Sequence, residues 1–474
     1  MAGCGAGWFS GWHKPSEGVT MKADLVVRGG TLVFPHGRVR ADLVIREGRI
    51  VGHTAPGEAE GKEIVEADGL YVLPGGVDAH VHMQDPGLTD REDFITGTGA
   101  AAIGGVTTVI DHHRTIPFVL RPEIVREKTA YLASRARVDY ALLGGAHPDN
   151  IDQLRPMWEA GVVGFKVFTC NLHGVPAALP DKMLEIFRTV ASFDGVCLVH
   201  AEDEFITRAN EERLRAAGRK DFRVIPEWRT LEAELVAVNT VVFLARLTGC
   251  RVVIAHVSHP RVCEVIRRER SLGARVWAES CPQYFHLSTD EIDRWGPWHK
   301  FTPPAREREA AEAMWARLEA GEIDMICSDH APATRADKER GLEDIWACSF
   351  GIPGVETALP LMLTGVNEGR ISLERLVMAR SQIPAQVYGL WPRKGGLHIG
   401  ADADFVLVDL TAERILRDED VVSKAGWTPY AGRRVRGLPV RTYVRGRLVA
   451  AEGKPVGEPG WGQFLPGPGF SPGR

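Results

Sequence analysis

The sequence has no apolar run approaching the ~18 residues that a membrane helix needs, and residues 1–20 lack the apolar core of a secretory signal. A long run of lysine and arginine is also missing, and 57 basic against 62 acidic residues leave a net charge of -5. These absences argue against a membrane protein, a secreted protein and a nucleic-acid-binding protein. We therefore expect a cytoplasmic protein whose partner is a small molecule.

Paired cysteines are missing as well. The eight cysteines are scattered, none belongs to a CxxC pair, and several lie in apolar runs such as Val196-Cys197-Leu198. Cysteines of this kind are typical of small buried side chains in a reducing compartment. With 44% hydrophobic and 25% charged residues over 474 positions, the remaining composition is that of a globular enzyme with a large core.

Short β-rich pieces occur at both ends of the chain. After Ala23, the pieces ADLVVRGG and ADLVIREGRIVG are punctuated by predicted glycine turns at Arg28-Gly29-Gly30 and Glu47-Gly48. Near the C-terminus, GADADFVLVDL and PVRTYVRGRLVAAEG have the same character. We expect the two ends to build one small β-domain together.

Between these ends, apolar strand-like runs alternate with amphipathic helical runs. TTVIDH, GVVGFKVF, GVCLVHAED, CRVVIAHVS, ARVWAES and DMICSDHAP are separated by helical stretches such as PRVCEVIRRERSLG. This alternation predicts an α/β protein, a (β/α)8 TIM barrel with a small β-sandwich domain. The predicted units are a flexible extension at 1–20, a composite β-sandwich of 21–75 with 391–460, a catalytic barrel at 76–390 and an irregular Pro/Gly-rich tail at 461–474.

Histidine and aspartate residues follow the predicted barrel strands. His80 and His82 are two apart in a strand, so both imidazoles project to the same side and are able to grip one metal ion. Two histidines alone would equally be explained as the polar lining of a strand face. However, His200, His256 and Asp329 each end another apolar strand, and such ends converge at one face of a barrel. The set therefore indicates a metal site.

Lys166 lies inside the apolar strand VGFKVF. An unpaired buried cation costs several kcal/mol, so we expect its amine to be neutral, paired or chemically modified. From the residues alone, a buried salt bridge and a carbamate formed with carbon dioxide both stay open.

The motifs VDAHVH, GFKVF, LVHAED, IAHVS and ICSDHAP occur in an order and spacing that resembles a known family. With GGVTTVID, ESCPQY and GEPGWG, they are similar to the binuclear cyclic-amide hydrolases of the amidohydrolase superfamily, which comprises dihydroorotases, allantoinases and hydantoinases (dihydropyrimidinases). The resemblance extends from Ala23 to about Gly462. It implies a (β/α)8 barrel with a β-sandwich built from both chain ends, and a homodimer or homotetramer.

The resemblance also implies two divalent metal ions per subunit, with zinc the expected metal. His80, His82 and Asp329 would bind one ion, His200 and His256 the other, and Lys166, carboxylated by CO2, would bridge both. A metal-bridged hydroxide would open the C–N bond of a cyclic amide, with Asp329 as the general base. Scaffold relatives without activity have lost such ligands, whereas all six positions are intact here, which favours an enzyme.

The expected substrate follows from departures within the family. Dihydroorotases carry an arginine soon after the first two histidines and a histidine soon after the catalytic aspartate, where this chain has Gln84 and Ala333. Hydantoinases carry a tyrosine after the bridging lysine, and Asn171 stands here instead. The QDPG and SKAGWTPYAG segments resemble those of allantoinases. We expect an allantoinase-like activity on a cyclic amide or ureide, with dihydroorotase or hydantoinase activity as the alternatives.

Other substrate contacts are expected on the loops at the same face. His112, His113 and Arg114 follow the strand TTVID, although a solvated loop would also explain such a cluster. Arg114 offers a substitute cation for dihydroorotate, and Cys281 in ESCPQY is either a contact or a small buried residue. The candidate substrate-binding residues are Gln84, His112, His113, Arg114, Asn171, Cys281 and Ala333.

Overall fold

The structure, a computed structural model, describes residues 23–472. The extension predicted at residues 1–20 and Cys4 therefore lie outside the described residues. The seven described cysteines are all buried and free, as the sequence predicts.

The N-terminal segment forms five strands. They are β1 (Ala23–Phe34), β2 (Gly37–Arg46), β3 (Arg49–Thr54), β4 (Gly61–Glu66) and β5 (Tyr71–Pro74). The predicted turn at Glu47 and Gly48 is confirmed: both residues are left-handed, with φ of 52° and 72°, as a tight two-residue hairpin requires.

The turn predicted at Arg28-Gly29-Gly30 is wrong, because β1 continues through it as an irregularity in its pairing with β2. The first half of β1 pairs with β4 and the second half with β5. A Cβ atom on Gly30 would lie 2.6 Å from Cγ2 of Val72 in β5. Glycine is thus needed for close strand approach here and not for a reversal of the chain.

Eight parallel strands form the barrel. They are β6 (Gly76–Val81), β7 (Val106–Asp111), β8 (Asp139–Gly145), β9 (Gly164–Phe168), β10 (Val196–His200), β11 (Arg251–Ile254), β12 (Val276–Ser280) and β13 (Met325–Ile326). The backbone N–H of His82 donates to the carbonyl of His330 at 2.7 Å, and a parallel bridge joins Val81 to His330. These contacts connect the last strand to the first, so the predicted barrel is confirmed.

Helices follow the strands and pack around them. They are α1 (Phe94–Ile103), α2 (Pro122–Leu132), α3 (Leu154–Glu159), α4 (Pro180–Ala191), α5 (Glu204–Ala216), α6 (Val224–Trp228), α7 (Leu231–Thr248), α8 (Pro260–Ser271), α9 (Gln283–His286), α10 (Ile292–Trp295), α11 (Arg308–Glu319), α12 (Arg335–Arg340), α13 (Ala358–Asn367), α14 (Leu373–Val377) and α15 (Ile383–Val387). Proline occupies the first turn of α2, α4 and α8, where its missing N–H has no helical partner to lose. Among the described helices, none is both long and apolar enough to cross a membrane.

The C-terminal segment returns to the first sheet. It adds β14 (Phe405–Ile415), β15 (Arg434–Val444), β16 (Arg447–Ala451) and β17 (Lys454–Pro455). Because β14 pairs antiparallel with β5, both ends form one nine-stranded sheet in the order β17-β16-β15-β14-β5-β1-β2-β3, with β4 paired to β1. The prediction of a β unit shared by the two ends is confirmed. The structure describes the tail as far as residue 472. There, Phe464 forms an isolated β-bridge with Tyr140 of the barrel.

A buried charge network joins this sheet to the barrel. Lys394 Nζ donates to Asp139 at the start of β8 and lies 2.9 Å and 2.8 Å from the carboxylates of Asp402 and Asp404. Arg445, after β15, contacts the same Asp139. Burial opposes the charge of Lys394, yet the three carboxylates outweigh burial and hold its pKa above the ordinary value.

Replacement of this lysine tests the network. We expect Lys394→Met to lower the free energy of unfolding by about 3–5 kcal/mol, because it removes the buried cation that three buried carboxylates share. The matched control is Lys62→Met, which removes an exposed partner of Asp24 and should leave stability unchanged within error. Urea unfolding followed by circular dichroism measures both, and equal midpoints for the two variants would contradict a stabilising role for Lys394.

Candidate metal centre

A cavity of about 470 Å³, a volume that includes solvent at its mouth, lies at the C-terminal ends of the barrel strands. This is the face at which catalytic groups of such barrels converge. The six side chains expected to bind metal all line it, namely His80, His82, Lys166, His200, His256 and Asp329. The structure thus brings together residues from β6, β9 and β10 and from the segments that follow β6, β11 and β13.

The backbone directs these side chains into the cavity. His80 lies in β6 and His82 just beyond its end, so alternation along the strand places both on one side. His256 and Asp329 follow β11 and β13 with φ of 40° and 46°, a left-handed conformation that costs a non-glycine residue energy. The backbone is therefore strained at two of the candidate metal ligands.

Two groups of ligand atoms face each other. The Nε2 atoms of His80 and His82 lie 3.2 Å and 3.5 Å from Oδ1 of Asp329. On the other side, Nδ1 of His200 lies 2.8 Å from Nε2 of His256. This grouping corresponds to the two sets of ligands that the family resemblance implies, and their assignment to two metal ions stays a prediction.

Buried carboxylates hold two of the imidazoles. Glu279 Oε1 accepts from His80 Nδ1 at 2.5 Å, and Glu202 Oε2 accepts from His200 Nε2 at 2.7 Å. Each carboxylate fixes the ring orientation and leaves the opposite nitrogen facing the cavity, as is usual for metal-binding histidines. Sequence reasoning missed both glutamates, although a carboxylate after a buried run, in WAES and in HAED, is the signal that would have revealed them.

The protonation states suit a divalent metal. Burial holds the pKa values of His80 and His256 well below the ordinary value, and nearby cationic groups lower them further. These imidazoles are therefore neutral near pH 7, with a lone pair free to coordinate. The buried Nδ1 of His256 also has no hydrogen-bond partner among the described residues. Neutral imidazoles beside a carboxylate form a donor set that divalent transition metals prefer, so the residues fit such ions.

Lys166 has no carboxylate within salt-bridge distance in the described part of the chain, and its Nζ lies 5.1 Å from the centroid of the Phe168 ring. Burial lowers its pKa to about 8, and Glu279 and Asp329 oppose that shift through space. The direct buried salt bridge that the sequence left open is therefore not formed here. A substantial fraction of the amine is neutral near physiological pH.

Arg114 is the expected substrate-binding residue that lines the cavity. His112 is buried behind the cavity lining. Its ring centroid lies 4.3 Å from that of His80 and 4.2 Å from that of His82. Both ring nitrogens of His112 lack a hydrogen-bond partner among residues 23–472, and His113 pairs instead with His147 at 3.2 Å. Their contact with substrate stays a prediction.

The other expected contacts do not line the cavity. Gln84 donates to the carbonyl of Pro332, and the carbonyl of Ala333 accepts from Trp427. Asn171 is exposed and donates to Glu204. Cys281 is fully buried, which raises the pKa of its thiol well above the ordinary value. A substrate-binding role for these residues stays a prediction.

The remaining cavity wall comes from loops without a distinctive motif. Five of its side chains are apolar, and Thr302 and His173 are polar. The wall residues that sequence reasoning did not assign to substrate binding are Arg91, Phe168, Leu172, His173, Phe301, Thr302, Ala331, Phe350 and Gly351. A mainly apolar wall with few polar groups is typical of a small-molecule site.

Comparison with known proteins agrees with this geometry. A model of the amidohydrolase family matches residues 71–449. The chain belongs to this family. It is 38% identical to L-hydantoinase of Paenarthrobacter aurescens over 447 residues, which are 93% of this chain and 98% of that protein. It is 36% identical to allantoinase of Deinococcus radiodurans over 443 residues, which are 93% and 98% of the two proteins.

A solved family structure has the same architecture. The L-hydantoinase (dihydropyrimidinase) from Arthrobacter aurescens superposes with a TM-score of 0.92 at 37% sequence identity, over 94% of this chain and 100% of that one. Family membership, these relatives and the clustered histidines together identify a metal-dependent hydrolase that opens the C–N bond of a cyclic amide.

Replacement of Glu202 tests how the imidazoles are held. We expect Glu202→Gln to weaken divalent-metal binding roughly 10- to 100-fold, because the carboxylate that orients His200 is lost. The control is Glu212→Gln on the exposed face of α5. Elemental analysis after dialysis against a competing chelator measures retention, and equal metal content in folded Glu202→Gln and control protein would contradict the orienting role.

Proposed function

We propose that this chain hydrolyses an amide bond in the ring of substituted hydantoins. Allantoin contains the same ring. The observation that carries the proposal is the position of Asp329, whose carboxylate lies against His80 and His82 while lining the cavity at the C-terminal ends of the strands. The names of the relatives, L-hydantoinase and allantoinase, support the same ring chemistry.

We assign the cavity histidines to two divalent cations, with zinc the expected metal. His80, His82 and Asp329 would hold one cation, and His200 and His256 the other. When bound, such cations lower the pKa of a coordinated water and polarise a carbonyl oxygen. The support is a set of buried, neutral imidazoles held by Glu279 and Glu202.

Lys166 is proposed to carry a carboxyl group between the two sites. Its neutral amine adds to carbon dioxide, an N–C bond forms, and the nitrogen releases a proton, which leaves a carbamate with two oxygen ligands. Burial without a carboxylate partner supports this assignment, because it favours an uncharged, reactive amine. Growth with isotope-labelled bicarbonate should produce a protein carbamate signal in carbon NMR that is absent from Lys166→Met.

Asp329 moves the proton in the proposed reaction. Its carboxylate takes a proton from the attacking water and delivers it to the ring nitrogen that leaves as the amide bond breaks. The left-handed backbone at Asp329 and the adjacent imidazoles keep this carboxylate in place. The apolar side chains of Phe168, Phe301 and Phe350 would limit the access of bulk water to the ring.

A second candidate is hydrolysis of dihydroorotate. Arg114 favours it, since this cation lines the cavity and would pair with the carboxylate of that substrate.

The homodimer or homotetramer and the cytoplasmic location expected from the sequence stay predictions, and light scattering on the purified protein checks the assembly.

A substrate panel tests the reaction. We expect the zinc-loaded protein to open allantoin or a simple substituted hydantoin at least about tenfold faster, by kcat/KM, than dihydrouracil or dihydroorotate. The reason is that hydantoin and allantoin, from which the names of the two relatives at 38% and 36% identity derive, contain the five-membered ring. Ring opening is followed directly by chromatography. Faster turnover of dihydroorotate would favour the second candidate. Absence of hydrolysis for every compound in the panel would contradict the proposal.

Asp329→Asn tests the proton transfer. We expect kcat to fall by a factor of about a hundred to ten thousand, because the amide cannot accept the proton. Asp290→Asn, which alters an exposed partner of Arg308, is the control. Metal content is measured in parallel, and near-normal turnover by metal-loaded Asp329→Asn would rule out Asp329 as the base.

A further inference from the structure

Two arginines line the cavity beside the candidate metal ligands. Arg91 donates through Nε to the carbonyl of Pro332 at 3.0 Å, and Arg114 donates through Nε to the carbonyl of His173 at 3.2 Å. Neither guanidinium has a carboxylate within salt-bridge distance among residues 23–472. Each is anchored by one nitrogen, and its two terminal nitrogens have no protein partner there.

Two buried arginines near the same cavity are paired with carboxylates. Arg229 lies 3.4 Å from Glu202, and Arg306 lies 2.8 Å from Glu234. Arg375, buried away from the cavity, is instead held by backbone carbonyls, to which its guanidinium donates. Arg91 and Arg114 differ from these examples because they line a cavity and lack a carboxylate partner.

The two unpaired cations also disfavour one another. Burial and, to a smaller extent, the charge of Arg91 together lower the pKa of Arg114 to about 10. Burial lowers the pKa of Arg91 as well, and Asp337 and Asp90 oppose that shift from beyond contact distance. Desolvated like charges are costly unless an anion arrives to pair with them.

The carboxylate in the described lining of the cavity is not paired with either arginine. Asp329 is the acidic residue of its described lining, and its Oδ1 already lies against His80 and His82. The planar fork of a guanidinium matches a carboxylate through two parallel hydrogen bonds. The charge that completes this wall must therefore come from a bound molecule.

We infer that Arg91 and Arg114 form an anion subsite, and that the preferred substrates are cyclic ureides whose ring substituent carries a carboxylate. This inference rests on the proposed function and narrows it. The ring amide would lie at the histidines and Asp329 while the substituent reaches the two guanidinium groups at the wall.

A pair of isosteric substrates tests the inference. Carboxyethyl-hydantoin and carbamoylethyl-hydantoin have nearly the same shape and differ in charge. We expect the metal-loaded protein to prefer the carboxylate roughly 10- to 100-fold in kcat/KM, mainly through KM. Arg91→Gln and Arg114→Gln should each lose most of that preference, because kcat/KM should fall much further for the carboxylate than for the neutral amide. Arg261→Gln, at an exposed position on α8, is the matched control.

The outcomes separate this inference from the proposed function. Equal kcat/KM for both hydantoins in the unaltered protein, or an equal loss on both in the arginine variants, would overturn the anion subsite while leaving hydantoin hydrolysis intact. If neither compound is hydrolysed, calorimetric binding of the same two compounds decides. Tighter binding of the carboxylate that depends on Arg91 and Arg114 supports the subsite although the proposed reaction has failed, and equal binding overturns it.

Discussion

Closure of the barrel between its first and last strands is the constraint on which the site depends. The N–H of His82 bonds to the carbonyl of His330, and this contact places the histidines after β6 beside Asp329 after β13. These residues are some 250 positions apart in the sequence, and no local interaction would bring them together. The metal centre is thus a direct consequence of eight parallel strands returning to their origin.

Buried ion pairs and hydrogen bonds hold the side chains beneath that centre in place. Glu279 and Glu202 orient the imidazoles of His80 and His200, while Arg229 and Thr302 hold Glu202 in turn. At the far end of the barrel, Lys394 joins the terminal sheet to β8 through Asp139. Each of these buried charges has a partner that holds it in place. The unpaired guanidinium groups at the cavity wall differ from this pattern.

The residues that line the cavity beside the candidate metal ligands come from different parts of the chain. Arg91 precedes α1, His173 follows β9, and Phe350 belongs to a segment after β13. None of them carries a local pattern that distinguishes it from an ordinary loop residue. His112 and Asn171 show the opposite case, since each has a suggestive position in the sequence yet lies outside the cavity lining. A position after a strand predicts the correct face of the barrel but not which way a loop side chain turns.

The sequence by itself determined the barrel, the shared terminal sheet and the six candidate metal positions, because strand alternation and strand-end placement are encoded within short segments. It also indicated Lys166 as exceptional, since a cation in an apolar strand is costly wherever that strand lies. Only the tertiary structure decided that this amine lacks a carboxylate partner, that Glu279 and Glu202 support the histidines, and that Arg91 and Arg114 share one wall. These facts are distances between segments far apart in the chain, and burial and charge balance follow from such distances and from no single stretch of residues.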